Sequence, residues 1–231
     1  CYGAHLNLML ARRIKQELGV PYVVSLHTNP DENIHATAKG MKNCAISAFL
    51  KRLEIRGLLD ANLILPVYES IFPYLRKRKL MQYEVYYNVV HNDPAQIKND
   101  YTLSSPVRVI SVGNQMKAKD PSQLIRAVGT RDDIELTLVG KGVYHEKLKS
   151  LAQATGKPER FRFIERMDNV ALCAALPSYD IMALHTEHFE LYKVMTEAML
   201  AGLPLLLNVR ETGGPVPELT DYICLRVPNM V

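Results

Sequence analysis

The sequence lacks several features that would place it in familiar structural classes. No apolar run approaches the roughly 20 residues that a membrane-spanning helix needs, so we expect no transmembrane segment. The four cysteines are scattered and form no Cys-x-x-Cys pair, which favours buried thiols in a reducing compartment over disulfides or a metal site. Low-complexity segments, short repeats and a signal segment are also missing, and the start at Cys1 predicts either a piece of a longer protein or a protein with an unusual start.

The positive charge is distributed unevenly along the chain. Residues 1–104 hold 13 Lys and Arg against 9 Asp and Glu, whereas residues 105–231 hold 15 of each kind. The excess of positive charge includes Lys51-Arg52, Arg56 and the run 76–79. Such clusters most often lie on a helix face that is exposed to solvent. The alternative is a peripheral contact with an anionic membrane, worth about 1 kcal/mol per basic residue. No nucleic-acid recognition motif accompanies the charge, and we expect no nucleic-acid partner.

Apolar periodicity in the first half predicts alternating helices and strands. The helices are predicted over 6–18, 44–59 and 71–80. The strands are predicted over 21–26, 62–66 and 84–87. Turn formers without periodicity over 92–106 predict a linker.

The second half alternates more regularly and begins cleanly at Val107. Strands are predicted over 107–112, 134–139, 161–164, 180–184, 205–207 and 222–225. Helices are predicted from 121, from 144, from 169 and over 191–201. Such alternation predicts an α/β protein of two Rossmann-like domains, 1–104 and 105–231, with a cleft between them. The first offers about four strands, where a doubly wound domain has roughly five or six, and we expect it to be incomplete.

Candidate phosphate groups follow the first strand of the second half. Gly113 ends that strand and lets the chain turn closely past a ligand, and Lys117 and Lys119 come within reach of the same strand end. A flexible ammonium there suits a phosphate, although a solvated loop is the simpler alternative. The pair Gly140 and Gly142 repeats the pattern after the next strand and indicates only a tight backbone.

The helix predicted from Leu191 supplies a second anion-binding feature. Its exposed amides and dipole suit a diphosphate. Glu197 lies two turns into the helix, either as an acceptor for vicinal hydroxyls such as those of a ribose or as a helix carboxylate paired with a nearby base. Gly213 and Gly214 form either a loop whose amides approach an anion or a plain turn, and Glu218 is placed to cap the next segment.

Histidines offer weaker evidence. His27 ends a predicted strand of the first half, where its side chain would point into the cleft, although a lone His is more often structural. His185 and His188 have no evident third ligand, and we expect no metal.

Taken in order, these pieces resemble a retaining glycosyltransferase of family 4, the glycosyl transferase group 1 type, which has the GT-B fold. The resemblance covers nearly the whole chain. It rests on the segments 21–27, 60–65, 87–91, 138–142 and 197–204, on Gly113 with Lys119 six residues later, and on Gly213-Gly214 with Glu218. It implies a metal-independent hexosyltransferase of glycan biosynthesis, without a cofactor, that uses a UDP or GDP sugar as donor substrate.

The resemblance also implies roles for residues at matching positions. Glu197 would hold the donor ribose, and Lys119 would face the diphosphate. Gly113, Asn114 and Lys117 would form the loop beside the donor. The other implied residues bind the base (Arg166, Met167), the donor phosphates or sugar (Leu191, Tyr192, Gly213, Gly214), or act catalytically beside Lys119 (His27, Glu190).

One departure from the family pattern opens alternatives. Eight residues before Glu197 stands Phe189, where the family has a Glu, so that Glu190 or Glu187 would serve only after a local shift. There are therefore two alternatives to the transferase. One is a non-catalytic binding or scaffolding subunit with a GT-B-like fold, and the other is a GT-B sugar-nucleotide epimerase. For the enzyme we expect an acceptor that is a carbohydrate or a lipid. We expect a cytoplasmic location, and the positive charge of residues 1–104 favours the cytoplasmic face of a membrane within it.

Overall fold

The computed structural model describes residues 1, 6–30, 41–90, 97–187, 191–208, 216–219 and 224–227. The chain divides into two compact units. The first unit is Cys1–Asn88 with Pro215–Glu218, and the second is Val89–Gly214 with Leu219–Val231. No helix in the described part of the chain has the length and hydropathy to cross a bilayer.

The first unit contains a small parallel sheet with helices. Its strands are β1 (Val23–Leu26) and β2 (Leu63–Pro66), which pair in parallel. Its helices are α1 (Leu6–Leu18), α2 (Met41–Asp60) and α3 (Phe72–Lys77), the last preceded by a 3₁₀ turn at Glu69–Ile71. The prediction for α1 is confirmed: Gly19 ends the helix at φ +69°, a left-handed conformation that glycine adopts readily.

The strand predicted over 84–87 is wrong as a regular strand. The segment does follow β2, since the amides of Glu84 and Tyr86 donate to the carbonyls of Ile64 and Pro66 at 3.0 and 2.9 Å. Pairing is nevertheless reduced to a single bridge between Ile64 and Tyr83. Pro66 has no N–H, so the ladder bond that β2 would donate back to this segment cannot form.

The second unit is a six-stranded, fully parallel sheet with the order β5-β4-β3-β6-β7-β8. Its strands are β3 (Val107–Val112), β4 (Ile134–Val139), β5 (Phe161–Ile164), β6 (Ile181–Leu184), β7 (Leu205–Asn208) and β8 (Cys224–Val227). Its helices are α4 (Ser122–Gly129), α5 (His145–Ala154), α6 (Asn169–Ala175) and α7 (Lys193–Leu200). The prediction of alternating strands and helices is confirmed in this unit.

Both faces of the central strands are buried. One face carries Val109, Leu136 and Ala183, which pack with apolar side chains of α4 and α5 in the main core of this unit. On the opposite face Ile110 and Met182 are fully buried. Burial on both faces is characteristic of parallel sheets, and it explains why β6 is a continuous apolar run, Ile181–Leu184, in the sequence.

The predicted linker is in part a packed strap. The amide of Lys98 donates to the carbonyl of Ala201 at 2.9 Å, which satisfies a carbonyl at the end of α7. Its ammonium donates to the carbonyl of Tyr179 at 3.0 Å and lies 3.9 Å from a carboxylate oxygen of Asp180. Residues 97–106 therefore belong to the second unit, because their partners lie there.

Asp180 is the buried acid to which this strap is attached. Its carboxylate accepts hydrogen bonds from the amide of Arg108 at 2.8 Å and from the amide and hydroxyl of Ser104 at 3.4 and 3.3 Å. Burial opposes ionisation, but the hydrogen bonds from Arg108 and Ser104, with the charge of Lys98, outweigh it and lower the pKa of Asp180.

We expect Asp180→Ala to lower the free energy of unfolding by about 3 kcal/mol, because Lys98 and two amides lose their buried partner. The measurement is urea unfolding at pH 7. Because the pKa of Asp180 is lowered on folding, its contribution is complete well above about pH 4, the ordinary Asp value, and is lost as pH falls through the folded value. The variant should therefore lose less stability on acidification than the wild type. Asp133→Ala, which removes an exposed ion pair, should leave the urea midpoint nearly unchanged.

Candidate nucleotide-binding site

The order of the strands reverses between β3 and β6. From β3 the chain moves outward through β4 and β5 on one side, and from β6 it moves through β7 and β8 on the other. No crossover helix fills the space outside the carboxyl ends of two such strands, which is where open parallel sheets bind ligands.

A cavity of about 260 Å³ lies at this point. Its lining comes from the ends of β3, β4 and β6, the loop after β3, and the start of α7 (Ser111, Val112, Gly113, Gln115, Lys119, Pro121, Leu138, Val139, Leu184, His185, Thr186, Tyr192, Lys193, Val194).

The loops after β3 and β4 touch backbone to backbone. A Cβ on Gly140 would lie 2.1 Å from the carbonyl oxygen of Gly113, and Gly140 also has a φ of +127°. A Cβ on Gly142 would lie 2.3 Å from the carbonyl oxygen of Gln115. Glycine is therefore required at 140 and 142 for close approach of the two loops, which is a stronger role than the tight turn expected from the sequence.

Gln115 joins these two loops, although no local pattern in the sequence indicates such a role. Its side chain is almost fully buried; Nε2 donates to the carbonyl of Gly140 at 2.8 Å, and Oε1 lies 2.7 Å from Nδ1 of His145. Its carbonyl accepts from the amide of Tyr144 at 3.0 Å. Because an amide oxygen only accepts, Nδ1 of His145 carries the proton of that bond. Gln115 thus fixes the position of the loop that begins at Gly113.

A charged group stands at the carboxyl end of β5. Glu165 pairs with Lys141 at 2.7 Å, and Nε2 of the buried His145 lies 3.6 Å from its other oxygen. The hydrogen bond from Lys141 is the main reason that the pKa of the exposed Glu165 carboxyl is lowered. The residues predicted to hold the base, Arg166 and Met167, follow this carboxylate in the chain.

Lys119 stands over an aromatic ring at the cavity. Its Nζ lies 3.6 Å from the ring centroid of Tyr192, within the range of a cation–π contact. The hydroxyl of Tyr192 is 2.8 Å from Oγ1 of Thr186. Asn208 in turn bonds both the amide and the carbonyl of Thr186, at 2.9 and 3.1 Å.

The first turn of α7 opens on the cavity. Tyr192 precedes the helix in an extended conformation, and its carbonyl accepts from the amides of Met195 and Thr196 at 2.9 and 3.3 Å. Lys193 and Val194, the first two helical residues, line the cavity. Amides at a helix start, together with the helix dipole, favour an anionic ligand.

Glu197 is buried below this first turn. It is 4% exposed, accepts a hydrogen bond from Asn169 at 2.8 Å, and lies 3.5 Å from the ammonium of Lys193. Both contacts use Oε1, and Oε2 has no hydrogen-bond partner among the residues that the structure describes. Burial, and then the negative charge of Glu197, raise the pKa of Cys173. The carboxylate is therefore partly paired and keeps one oxygen for a further donor.

His27 lies in the first unit, after β1. Its Nε2 is 2.9 Å from the hydroxyl of Ser25, and its carbonyl accepts from the hydroxyl of Tyr68 at 3.0 Å. Burial lowers the pKa of His27, which favours the neutral ring at pH 7.

Apart from His27 in the first unit, the predicted site residues separate into three groups. Gly113, Lys119 and Tyr192 line the cavity together. Six others lie in the second unit outside its lining, three of them exposed (Asn114, Lys117, Arg166) and three more shielded (Met167, Leu191, Glu197). Glu190, Gly213 and Gly214 lie outside the described residues. Among the described residues no cluster of three or more metal-ligating side chains is found.

We expect Gly140→Ala to lower the unfolding midpoint strongly, because the new methyl would push the carbonyl of Gly113 away and also require a strained φ. Gly156→Ala is the matched control, since Gly156 has a φ of +76° but nothing within 4 Å of the added Cβ. We expect it to cost only the conformational strain, about 1 kcal/mol. Thermal unfolding of the two variants measures the difference, and equal effects would refute the close-approach role of Gly140.

Several known proteins are similar to this chain. N-acetyl-alpha-D-glucosaminyl L-malate synthase of Bacillus anthracis is 30% identical over 141 residues, which are 57% of this chain and 36% of that protein. The structure of HepE from Anabaena in complex with UDP matches with a TM-score of 0.71 at 16% identity, over 95% of this chain and 62% of that one. Sucrose-phosphate synthase of Thermosynechococcus elongatus matches with a TM-score of 0.76 at 16% identity, over 99% and 59%.

These similarities establish the fold and the family. The structural matches show the parallel α/β architecture of GT-B glycosyltransferases, of which this chain contains a part. It spans about a third of the length of the curated relative and about three fifths of these two structures. Residues 95–222, more than half of the chain, match the family described as glycosyl transferases group 1. The chain belongs to the family of group 1 glycosyl transferases.

Proposed function

We propose that the protein is a retaining, metal-independent glycosyltransferase of the family 4 type, which moves a hexose from a nucleoside diphosphate sugar to an acceptor hydroxyl. The observation that carries the proposal is the cavity between β3 and β6, where the ammonium of Lys119 and the first turn of α7 meet. A cation and a row of helix amides around one cavity form a site for a diphosphate.

The relatives favour a uridine donor. HepE has been crystallised with UDP and with UDP-glucose. We therefore propose UDP before GDP as the nucleotide. The acceptor is a hydroxyl of a carbohydrate, a lipid or a small molecule.

Glu197 is proposed to hold the ribose. Its buried carboxylate is linked through Lys193 to the wall of the cavity, and Oε2 can accept a hydroxyl proton. We propose that Gly213 and Gly214 supply further amides to the phosphates, that the backbone of Arg166 and Met167 holds the base, and that Asn114, Lys117 and Leu191 lie around the donor.

The proposed chemistry depends on stabilising the departing diphosphate. Lys119 and the amides of α7 would neutralise the charge that develops on it, so that no metal is needed for this step. Retention of configuration would follow from attack of the acceptor on the same face, with the leaving phosphate as the base. His27 as a neutral hydrogen-bonding group and Glu190 near the sugar complete the proposed set.

A second candidate is a protein that binds the nucleotide sugar without transferring it. The observation in its favour is Phe189, which stands eight residues before Glu197, where the family has a carboxylate. The two candidates share the nucleotide site and differ in turnover.

Calorimetric titration with UDP and GDP tests the nucleotide site. We expect Lys119→Met to weaken UDP binding by about 10- to 100-fold, the loss of one charge-assisted hydrogen bond. Lys147→Met, which removes an exposed ammonium of α5 outside the cavity lining, should change the affinity less than threefold. Equal losses in both variants would mean that only the general positive charge matters, and no binding of either nucleotide would refute the site.

Release of UDP or GDP from the corresponding hexose donors tests the transfer reaction. We expect slow donor hydrolysis that falls at least tenfold in Glu197→Ala, because the ribose loses its carboxylate partner. No turnover of any donor, combined with intact nucleotide binding, would favour the binding protein over the enzyme.

We further propose that the protein works in the cytoplasm at the face of an anionic membrane. Arg76, Lys77 and Lys79 are exposed at the end of α3 and extend the basic character of the first unit. We expect the wild type to sediment with vesicles containing phosphatidylglycerol and not with neutral vesicles. Replacing the three residues with Ser should reduce binding about 100-fold, at about 1 kcal/mol for each charge. Binding that is insensitive to these substitutions or to salt would contradict the proposal.

A further inference from the structure

Four residues of the second unit form a chain of contacts that ends at the cavity. Asn208, at the end of β7, holds the backbone of Thr186 by two hydrogen bonds. The hydroxyl of Thr186 meets that of Tyr192 at 2.8 Å, and the ring of Tyr192 lies 3.6 Å from the ammonium of Lys119. Thr186, Tyr192 and Lys119 all line the cavity.

We infer that Tyr192 is a positioning residue, whose ring holds the ammonium of Lys119 where the donor diphosphate binds. The inference rests on the proposed function, because it assigns Lys119 to that diphosphate. Tyr192 would act on binding through Lys119, and Thr186 and Asn208 would act by fixing the ring.

The geometry supports a restraint on Lys119 from two sides. Its side chain runs beside Gly113, where an added Cβ would lie 3.7 Å from Cδ of Lys119. The ring of Tyr192 restricts the movement of the ammonium on the other side. The contact of the Tyr192 hydroxyl with Thr186 stops the ring from rotating away. A lysine has much rotamer freedom to lose on binding a ligand, and a restraint already present in the free protein reduces that loss.

The location of the restraint explains why an aromatic residue is useful at 192. A carboxylate in that place would neutralise Lys119 and compete with phosphate. The face of a ring attracts the ammonium without cancelling its charge. Thr186 is 2% exposed, and its own backbone is fixed, so the ring is attached to a rigid part of the sheet edge.

A double-mutant cycle with UDP as the probe tests the inference. We expect Tyr192→Leu to raise the Kd for UDP about tenfold, or about 1.4 kcal/mol. In the Lys119→Met background the same substitution should raise the Kd less than twofold, since the residue through which it acts is gone. Tyr192→Phe keeps the ring but loses the hydroxyl contact with Thr186, so it should raise the Kd by an intermediate factor of about threefold.

The pair of Tyr144 and Lys147 is the matched control. Its ammonium lies 4.5 Å from the ring centroid, and neither side chain lines the cavity. Tyr144→Leu should therefore leave the Kd for UDP unchanged. An equal loss from Tyr192→Leu with and without Lys119 would overturn the inference, because Tyr192 would then act on the ligand or the loop directly.

Nuclear magnetic resonance of the ligand-free protein separates failure of this inference from failure of the proposed function. The ε-methylene protons of Lys119 should show an upfield ring-current shift that is smaller in Tyr192→Phe and disappears in Tyr192→Leu. A wild type that shows this shift but binds no nucleotide would refute the proposed function and leave the contact intact. Absence of the shift would overturn the inference, whatever the protein binds.

Discussion

The close approach of the loops after β3 and β4 is the constraint on which the site depends. The carbonyl of Gly113 lies where a side chain on Gly140 would stand, so the two strand ends meet backbone to backbone. Gln115 then fastens the loops together from inside. Because the two loops are fixed, Lys119 lies at one side of the cavity and the start of α7 lies at the other. A larger residue at 140 would displace the wall of the cavity as well as destabilise the sheet.

Much of the second unit could be predicted from the sequence because its strands are buried on both faces. Such strands are rich in apolar residues, and 134–139 and 161–164 have the same bounds in the structure as in the prediction. The prediction failed where the conformation depends on a hydrogen-bond partner far along the chain or on the absence of a backbone N–H. Pro66 breaks a ladder bond of the segment over 84–87, and residues 97–106 are ordered by Ala201 and Asp180, far along the chain.

Some residues of the site could be predicted from local sequence patterns, whereas others depend on contacts with distant parts of the chain. Glycine after a strand and a nearby lysine are local signals, and Gly113 and Lys119 indeed line the cavity. Gln115 carries no such signal, because its partners Gly140 and His145 lie 25 and 30 residues away. A polar residue in a loop is ordinarily solvated, and only its burial shows that it is structural. The contact of Tyr192 with Lys119 likewise joins two loops that no local pattern relates.

The location of the cavity within one unit separates nucleotide binding from sugar transfer. All of its lining residues lie between Ser111 and Val194, and Glu197 follows one turn later on the same helix. The groups that would recognise a diphosphate and a ribose are thus held by a single sheet and its loops. A transferase also has to bind an acceptor and exclude water from the donor, and these tasks need groups other than those that bind the nucleotide. Affinity for the nucleotide and turnover of the donor therefore measure different parts of the protein.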